Sequence, residues 1–216
     1  MIRAALFDMD GVLVDNADIH FRAFDIFCRR YGVDDWQQKF TSAFGMGNDD
    51  IMRLLLPAPL VEARGTQSLS DEKEAIYREI YAPLIEPVKG LRELLEHLKA
   101  AGVRCAVGSS GCRENVRFVL ERCGIEEYFE ARVSGDRVSR CKPDPEIYLT
   151  AAAELGVPPQ ECVVFEDAVA GIEAAARAGV RRTVAIATSL PAERLRTTQA
   201  AYIVSDFRDV TDEMLR

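Results

Sequence analysis

The stretch Phe7-Asp8-Met9-Asp10-Gly11-Val12-Leu13-Val14-Asp15 decides how the rest of this chain is read. Ahead of it, Ile2-Arg3-Ala4-Ala5-Leu6-Phe7 is short, apolar and rich in branched and aromatic side chains, the pattern of a buried strand. A strand ending in Asp-x-Asp-Gly carries two carboxylates at its carboxyl end, where ligands bind in open parallel α/β sheets. Residues 8 and 10 alternate along an extended backbone, so Asp8 and Asp10 point to the same side. Gly11 then permits a sharp turn. Two like charges this close repel, and a cation or a shared proton relieves them. Mg²⁺ suits such a place, because it takes one or two carboxylates together with substrate oxygens. Alone, Asp-x-Asp-Gly equally suits a loop with two solvated aspartates, so the rest of the chain has to decide.

At 216 residues, the chain can bury a substantial core, as one large domain or a core with an insert. Every hydrophobic segment is interrupted by charge, so no membrane span is expected, and the N-terminus opens straight into a strand without a signal peptide. The cytoplasm is the expected compartment. A net charge of −8 disfavours nucleic-acid and anionic-membrane partners. The six cysteines show no C-x-x-C spacing, which argues against a zinc or thioredoxin-type site and for free thiols in a reducing compartment.

Residues 16–86 differ in texture. Ile19, Ala23, Ile26, Phe27 and Tyr31 recur at helical spacing, and 36–43, 49–56 and 70–85 also read as helices, the last capped by Ser70. Pro57-Ala58-Pro59 is read as a break. From Gly90 onward the pattern alternates: helices over 91–101, 113–123, 145–155 and 168–178, and strands over 103–107, 131–134, 162–165, 183–187 and 202–204. Alternation of this kind implies parallel strands with right-handed crossovers. The expected architecture is therefore a doubly wound parallel α/β core, residues 1–15 and 87–216, with an inserted all-helical domain over 16–86.

Three further stretches carry chemistry. Ser109-Ser110-Gly111 lies between a strand and the helix starting near Arg113, where a hydroxyl and free backbone N–H groups make a phosphate-binding corner. Lys142, in Arg140-Cys141-Lys142-Pro143-Asp144-Pro145, stands on a loop stiffened by prolines and offers a fixed positive charge. Glu166-Asp167 ends the strand Val163-Val164-Phe165 and is a second carboxylate source for a metal.

Taken together and in order, Asp8-Met9-Asp10-Gly11-Val12-Leu13-Val14-Asp15, Ser109, Lys142-Pro143-Asp144-Pro145 and Glu166-Asp167 resemble the four motifs of the haloacid dehalogenase superfamily, in its phosphatase and phosphomutase branch. The resemblance spans the whole chain, loosely over the helical part, which corresponds to the family's cap. It implies a nucleophilic Asp8 forming an aspartyl-phosphate, Asp10 as general acid and base, Ser109 and Lys142 holding the transferring phosphoryl group, and Mg²⁺ on Asp8, the Asp10 carbonyl and Asp167 with Glu166 in support. Asp15 is expected to brace the turn by hydrogen bonds. Ser110, Gly111 and Arg113 are substrate-side candidates on the core.

In the cap, His20 is placed like a histidine of beta-phosphoglucomutases, and Lys73, with Tyr77 one turn on, resembles a cap lysine that holds a sugar phosphate. The family's mutases carry an arginine after the turn matching Gly45-Met46-Gly47; here Asn48, a further substrate-side candidate, is followed by Asp49 and Asp50. The expected activity is Mg²⁺-dependent hydrolysis of a small phosphate ester, a sugar phosphate above all, by a monomer. A sugar phosphomutase and a non-catalytic phosphate-binding module are the alternatives.

Overall fold

The burial of the first strand sets the architecture. Ala4–Phe7 is wholly buried, as a strand covered on both faces must be, and it reads as a continuous apolar run for that reason. The computed structural model describes residues 2–40 and 48–216, with the side chains of Phe40 and Asn48 excepted. In chain order its elements are β1 (Ala4–Phe7), α1 (Ala17–Arg30), α2 (Trp36–Phe40), α3 (Asn48–Leu55), α4 (Ala58–Arg64), α5 (Thr66–Tyr81), α6 (Leu91–Ala100), β2 (Arg104–Gly108), α7 (Arg113–Cys123), β3 (Phe129–Val133), α8 (Glu146–Glu154), β4 (Cys162–Glu166), α9 (Val169–Ala178), β5 (Arg182–Ile186), α10 (Ala192–Leu195) and β6 (Tyr202–Val204). The contacts divide the chain into two compact units, Met1–Asp15 with Ile85–Arg216, and Asn16–Leu84.

In the first unit the described strands form one parallel six-stranded sheet in the order β3-β2-β1-β4-β5-β6. The chain order reverses at β1, which pairs with β2 on one side and β4 on the other. Phe7 lies opposite Val107 and Phe165, so the residues that follow each strand emerge at one end, beside the point of reversal. On one face, Leu6, Ala106 and Val164 pack against Ile147, Tyr148 and Ala151 of α8. On the β1 strand, the Phe7 ring stacks on Phe165 at 4.7 Å, meets Phe129 edge-on at 5.7 Å and lies 6.1 Å from Phe207. Leu91, Leu94, Leu95 and Leu98 form the buried stripe of α6.

The regular elements among the described residues of the second unit are all helices, with α1 and α3 both packing on α5. Trp36 is fully buried against Phe21 and Phe24, and its indole N–H donates to Asp25 Oδ1 at 3.2 Å. Two sequence expectations are corrected here. Pro57-Ala58-Pro59 does not break the helical series but opens α4: Pro57 is its N-cap, and a proline in the first turn gives up an N–H that has no helical partner anyway. The helix expected to start at Ser70 starts at Thr66, and Ser70 is buried within its second turn rather than capping it. The expected helix over 36–43 runs past Phe40 into residues outside the description, as does the turn Gly45-Met46-Gly47. All six cysteines are free thiols, and no described helix is long and apolar enough to cross a membrane.

Phe7→Ala removes the ring shared by three aromatic neighbours at the centre of the sheet. It is expected to cost about 3–5 kcal/mol of folding free energy. Urea unfolding should show this as a lower midpoint at an unchanged slope; a loss below about 1 kcal/mol would mean the cluster relaxes around the gap.

Candidate active site

The loop after β1 is built by its backbone. Leu13 N and Val14 N both donate to Met9 O, and Gly11 N donates to Val14 O, which folds residues 9–14 into a compact turn. Gly11 has φ +74°, a conformation that side-chain-bearing residues rarely adopt. Asp15, expected to brace this turn, is exposed, and the backbone bonds hold it instead. Asp8 N donates to Phe165 O, which sets Asp8 beside the end of β4.

The β2 loop meets the first one. Ser109 is fully buried, and its Oγ accepts from Gly111 N at 3.0 Å, leaving the hydroxyl proton to donate elsewhere. A Cβ on Gly111 would stand 3.2 Å from Ser109 Oγ and 3.6 Å from Asp10 Oδ2, so Asp10, Ser109 and Gly111 are neighbours. Ser110 is exposed. Arg113 is exposed too, with its guanidinium 3.8 Å from Asp136.

Lys142 links the other loops. Its ammonium donates to Asp8 Oδ1 at 2.8 Å and to Glu166 Oε1 at 2.7 Å. Glu166 has no exposed surface: Oε1 also accepts from Tyr148 OH at 2.6 Å, while Oε2 accepts from the backbone N–H groups of Asp167 and Ala168 at 3.0 and 3.2 Å. Two glycines make room for the acids. A Cβ on Gly171 would lie 1.7 Å from Glu166 Oε1, and one on Gly11 would lie 2.0 Å from Asp167 Oδ2. Beyond β5, Ser189 hydrogen-bonds Asp167, and Thr188 Oγ1 donates to the carbonyl of Gly11. Tyr148, Thr188 and Ser189 were not singled out from the sequence. Tyr148 reads as an ordinary core aromatic of a helix; the signal for the other two was a Thr-Ser pair just past a strand, as at Ser109-Ser110.

The electrostatics follow from burial. Removal from water pushes Asp8 up to about 7, with Glu166 and Asp10 adding to the shift and Lys142 opposing it. Burial, Glu166 and Asp8 hold Asp167 well above the usual carboxylate range. For Lys142 burial works against the charge, but Asp8 and Glu166 outweigh it and its pKa is raised, so it stays an ammonium. Burial and the same acids also keep the Tyr148 phenol well above its ordinary value, so it remains a donor. One oxygen from each of Asp8, Glu166 and Asp167 lies within 4.8 Å of the others. Three hard oxygen donors with more negative charge than one lysine balances fit a divalent cation such as Mg²⁺.

In the helical unit, His20 and Lys73 are adjacent. Lys73 Nζ donates to His20 Nδ1 at 3.1 Å and to Glu74 Oε1 at 2.7 Å, and lies 4.4 Å over the Phe24 ring. His20 stacks on Tyr77 at 4.0 Å, and Asn16 Nδ2 donates to Tyr77 OH. Asn48 opens α3, and its side chain lies outside the described residues.

A parallel sheet of this order, with acids after β1 and β4, a serine after β2 and a lysine after β3, defines a class of α/β enzymes. The family model for haloacid dehalogenase-like hydrolases matches residues 2–179, and the chain belongs to that family. It is 33% identical over 192 residues to a phosphorylated carbohydrates phosphatase of Thermotoga maritima, covering 88% of this chain and 87% of that protein. A beta-phosphoglucomutase of Bacillus subtilis is 31% identical, over 83% of this chain and 81% of its own length. Among solved structures, CbbY of Rhodobacter sphaeroides in complex with phosphate superposes with a TM-score of 0.82 at 29% identity, covering 97% of this chain and 96% of that one.

Gly171→Ala opposes two effects. Alanine favours a helix interior by about 1 kcal/mol, but its methyl would displace a carboxylate held by four donors. The clash should win, with a net loss of about 1–3 kcal/mol by denaturant unfolding; a gain in stability would show that Glu166 has somewhere else to go.

Proposed function

We propose that the protein is a Mg²⁺-dependent phosphatase acting on a small phosphorylated metabolite, in particular a sugar phosphate, through an aspartyl-phosphate. The observation that carries this reading is the buried Asp8 carboxylate, bonded to Lys142 and flanked by Asp10 and the Ser109–Gly111 loop. In this reading an Asp8 oxygen attacks phosphorus and the ester P–O bond breaks. Asp10 gives its proton to the departing oxygen. It then takes a proton from water, whose oxygen attacks the same phosphorus; the bond to Asp8 breaks and inorganic phosphate leaves. Lys142, the Ser109 hydroxyl and backbone N–H groups of the 109–111 loop hold the phosphoryl oxygens. Asp8, Asp167 and the Asp10 carbonyl would hold Mg²⁺, with Glu166 in support, and when bound the ion supplies positive charge against the phosphoryl oxygens. Substrate selection falls to the helical unit, read here as the cap, through His20 and Lys73, with Asn48, Ser110, Gly111 and Arg113 as further substrate-side positions. The six free thiols accord with a reducing, cytoplasmic setting.

Hydrolysis is favoured over mutase action by the state of Lys73. A mutase must grip a second phosphate while the sugar turns round, and a strong unshared cation does this best. Lys73 is buried and already paired with Glu74, while exposed Asp49 and Asp50 start α3. Both features weaken a second phosphate site.

The test is phosphate release from a panel of phosphate esters with and without Mg²⁺. Asp8→Asn should abolish release with the fold intact, and Asp10→Asn should slow it by roughly 10²–10⁴-fold; near-normal turnover by Asp8→Asn would refute the mechanism. Mg²⁺ should also raise the melting temperature relative to EDTA, since the ion relieves carboxylate repulsion. With β-glucose 1-phosphate, a trace of the bisphosphate and Mg²⁺, phosphorus NMR should show inorganic phosphate; efficient formation of glucose 6-phosphate without it would make the enzyme a mutase.

A further inference from the structure

Resting on the phosphatase reading, we infer that Tyr148 is a positioning residue that keeps the Lys142 ammonium shared between Asp8 and Glu166. Tyr148 is fully buried in the first turn of α8, among apolar side chains that cover one face of the sheet. A phenylalanine would fill that space without the cost of burying a hydroxyl, so the hydroxyl calls for a partner. That partner is Glu166 Oε1, the oxygen that also receives Lys142. Lys142 Nζ lies 4.9 Å over the Tyr148 ring. The ring also packs on the end of β2, where a Cβ on Gly108 would stand 3.2 Å from Tyr148 Cε1, one residue before Ser109. The ends of β2 and β4 and the Lys142 loop therefore meet at one tyrosine.

The physical role follows from competition. Lys142 is divided between two carboxylates at 2.8 and 2.7 Å. By donating to Glu166 Oε1, the phenol takes up part of the charge that would otherwise draw the ammonium away from Asp8. The two backbone N–H groups on Oε2 anchor the other side of the same carboxylate. Without the phenol, Glu166 holds only Lys142 on Oε1, and the ammonium moves toward it, away from the position where it meets a phosphoryl oxygen.

Tyr148→Phe keeps the ring and removes only the donor. In saturating Mg²⁺ with p-nitrophenyl phosphate, kcat/KM should fall by about 10- to 100-fold, mostly in kcat. Its crystal structure should show Lys142 Nζ farther from Asp8. If the role is exerted through Glu166, adding Tyr148→Phe to Glu166→Gln should cost less than about twofold. A Tyr148→Phe protein that keeps kcat/KM within about twofold of wild type, with Lys142 in place, overturns the inference even if its melting temperature falls. Should wild type release phosphate from no ester, the phosphatase reading fails by itself; the position of Lys142 in the Tyr148→Phe crystal still decides this inference.

Discussion

One imbalance of charge organises the first unit. Among the described residues of the site, a single lysine ammonium faces the buried carboxylates of Asp8, Glu166 and Asp167. Burying that much like charge is unfavourable unless something else supplies the positive side. The surroundings are arranged to keep the acids in place all the same. The parallel register brings the ends of β1 and β4 side by side, two glycines leave space for carboxylate oxygens, and every oxygen of Glu166 is engaged by a donor. The raised pKa values of Asp8 and Asp167 express this tension, and a divalent cation is the simplest partner that removes it.

The helical unit treats charge the other way. Its buried Lys73 is balanced by the carboxylate of the next residue and donates as well to His20 Nδ1. A self-compensated pair asks for no ion from outside, and it offers little net attraction to an anion. The His20 ring of this cluster is stacked on Tyr77, whose hydroxyl is bonded by Asn16.

Much of this was legible before any coordinates. Strands covered on both faces read as unbroken apolar runs, and Asp8, Asp10, Ser109 and Asp167 each announce themselves just past one. Lys142 was marked by its prolines. What could not be read was whatever depends on neighbours distant in sequence. Tyr148 has the spacing of a core residue, and only the fold puts Glu166 against its hydroxyl. Thr188 and Ser189 show only as a Thr-Ser pair past a strand, and their partners appear once β5 is set beside β4. The helical unit was misread at Pro57 and Ser70 because local preferences permit two answers there. Proline can end one helix or open the next, and serine can cap or be buried, and packing chose the second in both cases.

The position of β1 has a consequence for how the chain comes to be folded. It precedes the other described elements in chain order, yet Ala4 pairs with Arg104 on one side and Cys162 on the other, and the residues of the helical unit come between Ala4 and both partners in sequence. A wholly apolar strand must therefore wait for its first neighbour until the helical unit and α6 have been made, and for its second until β4. The inserted helices find their packing partners within Asn16–Leu84 and need no such wait. The centre of the sheet is completed only when its last partners arrive, and the phosphate-handling end is assembled in that same late step. Truncation between α5 and β2 would leave the helical residues attached to an adhesive β1 with neither of its partners.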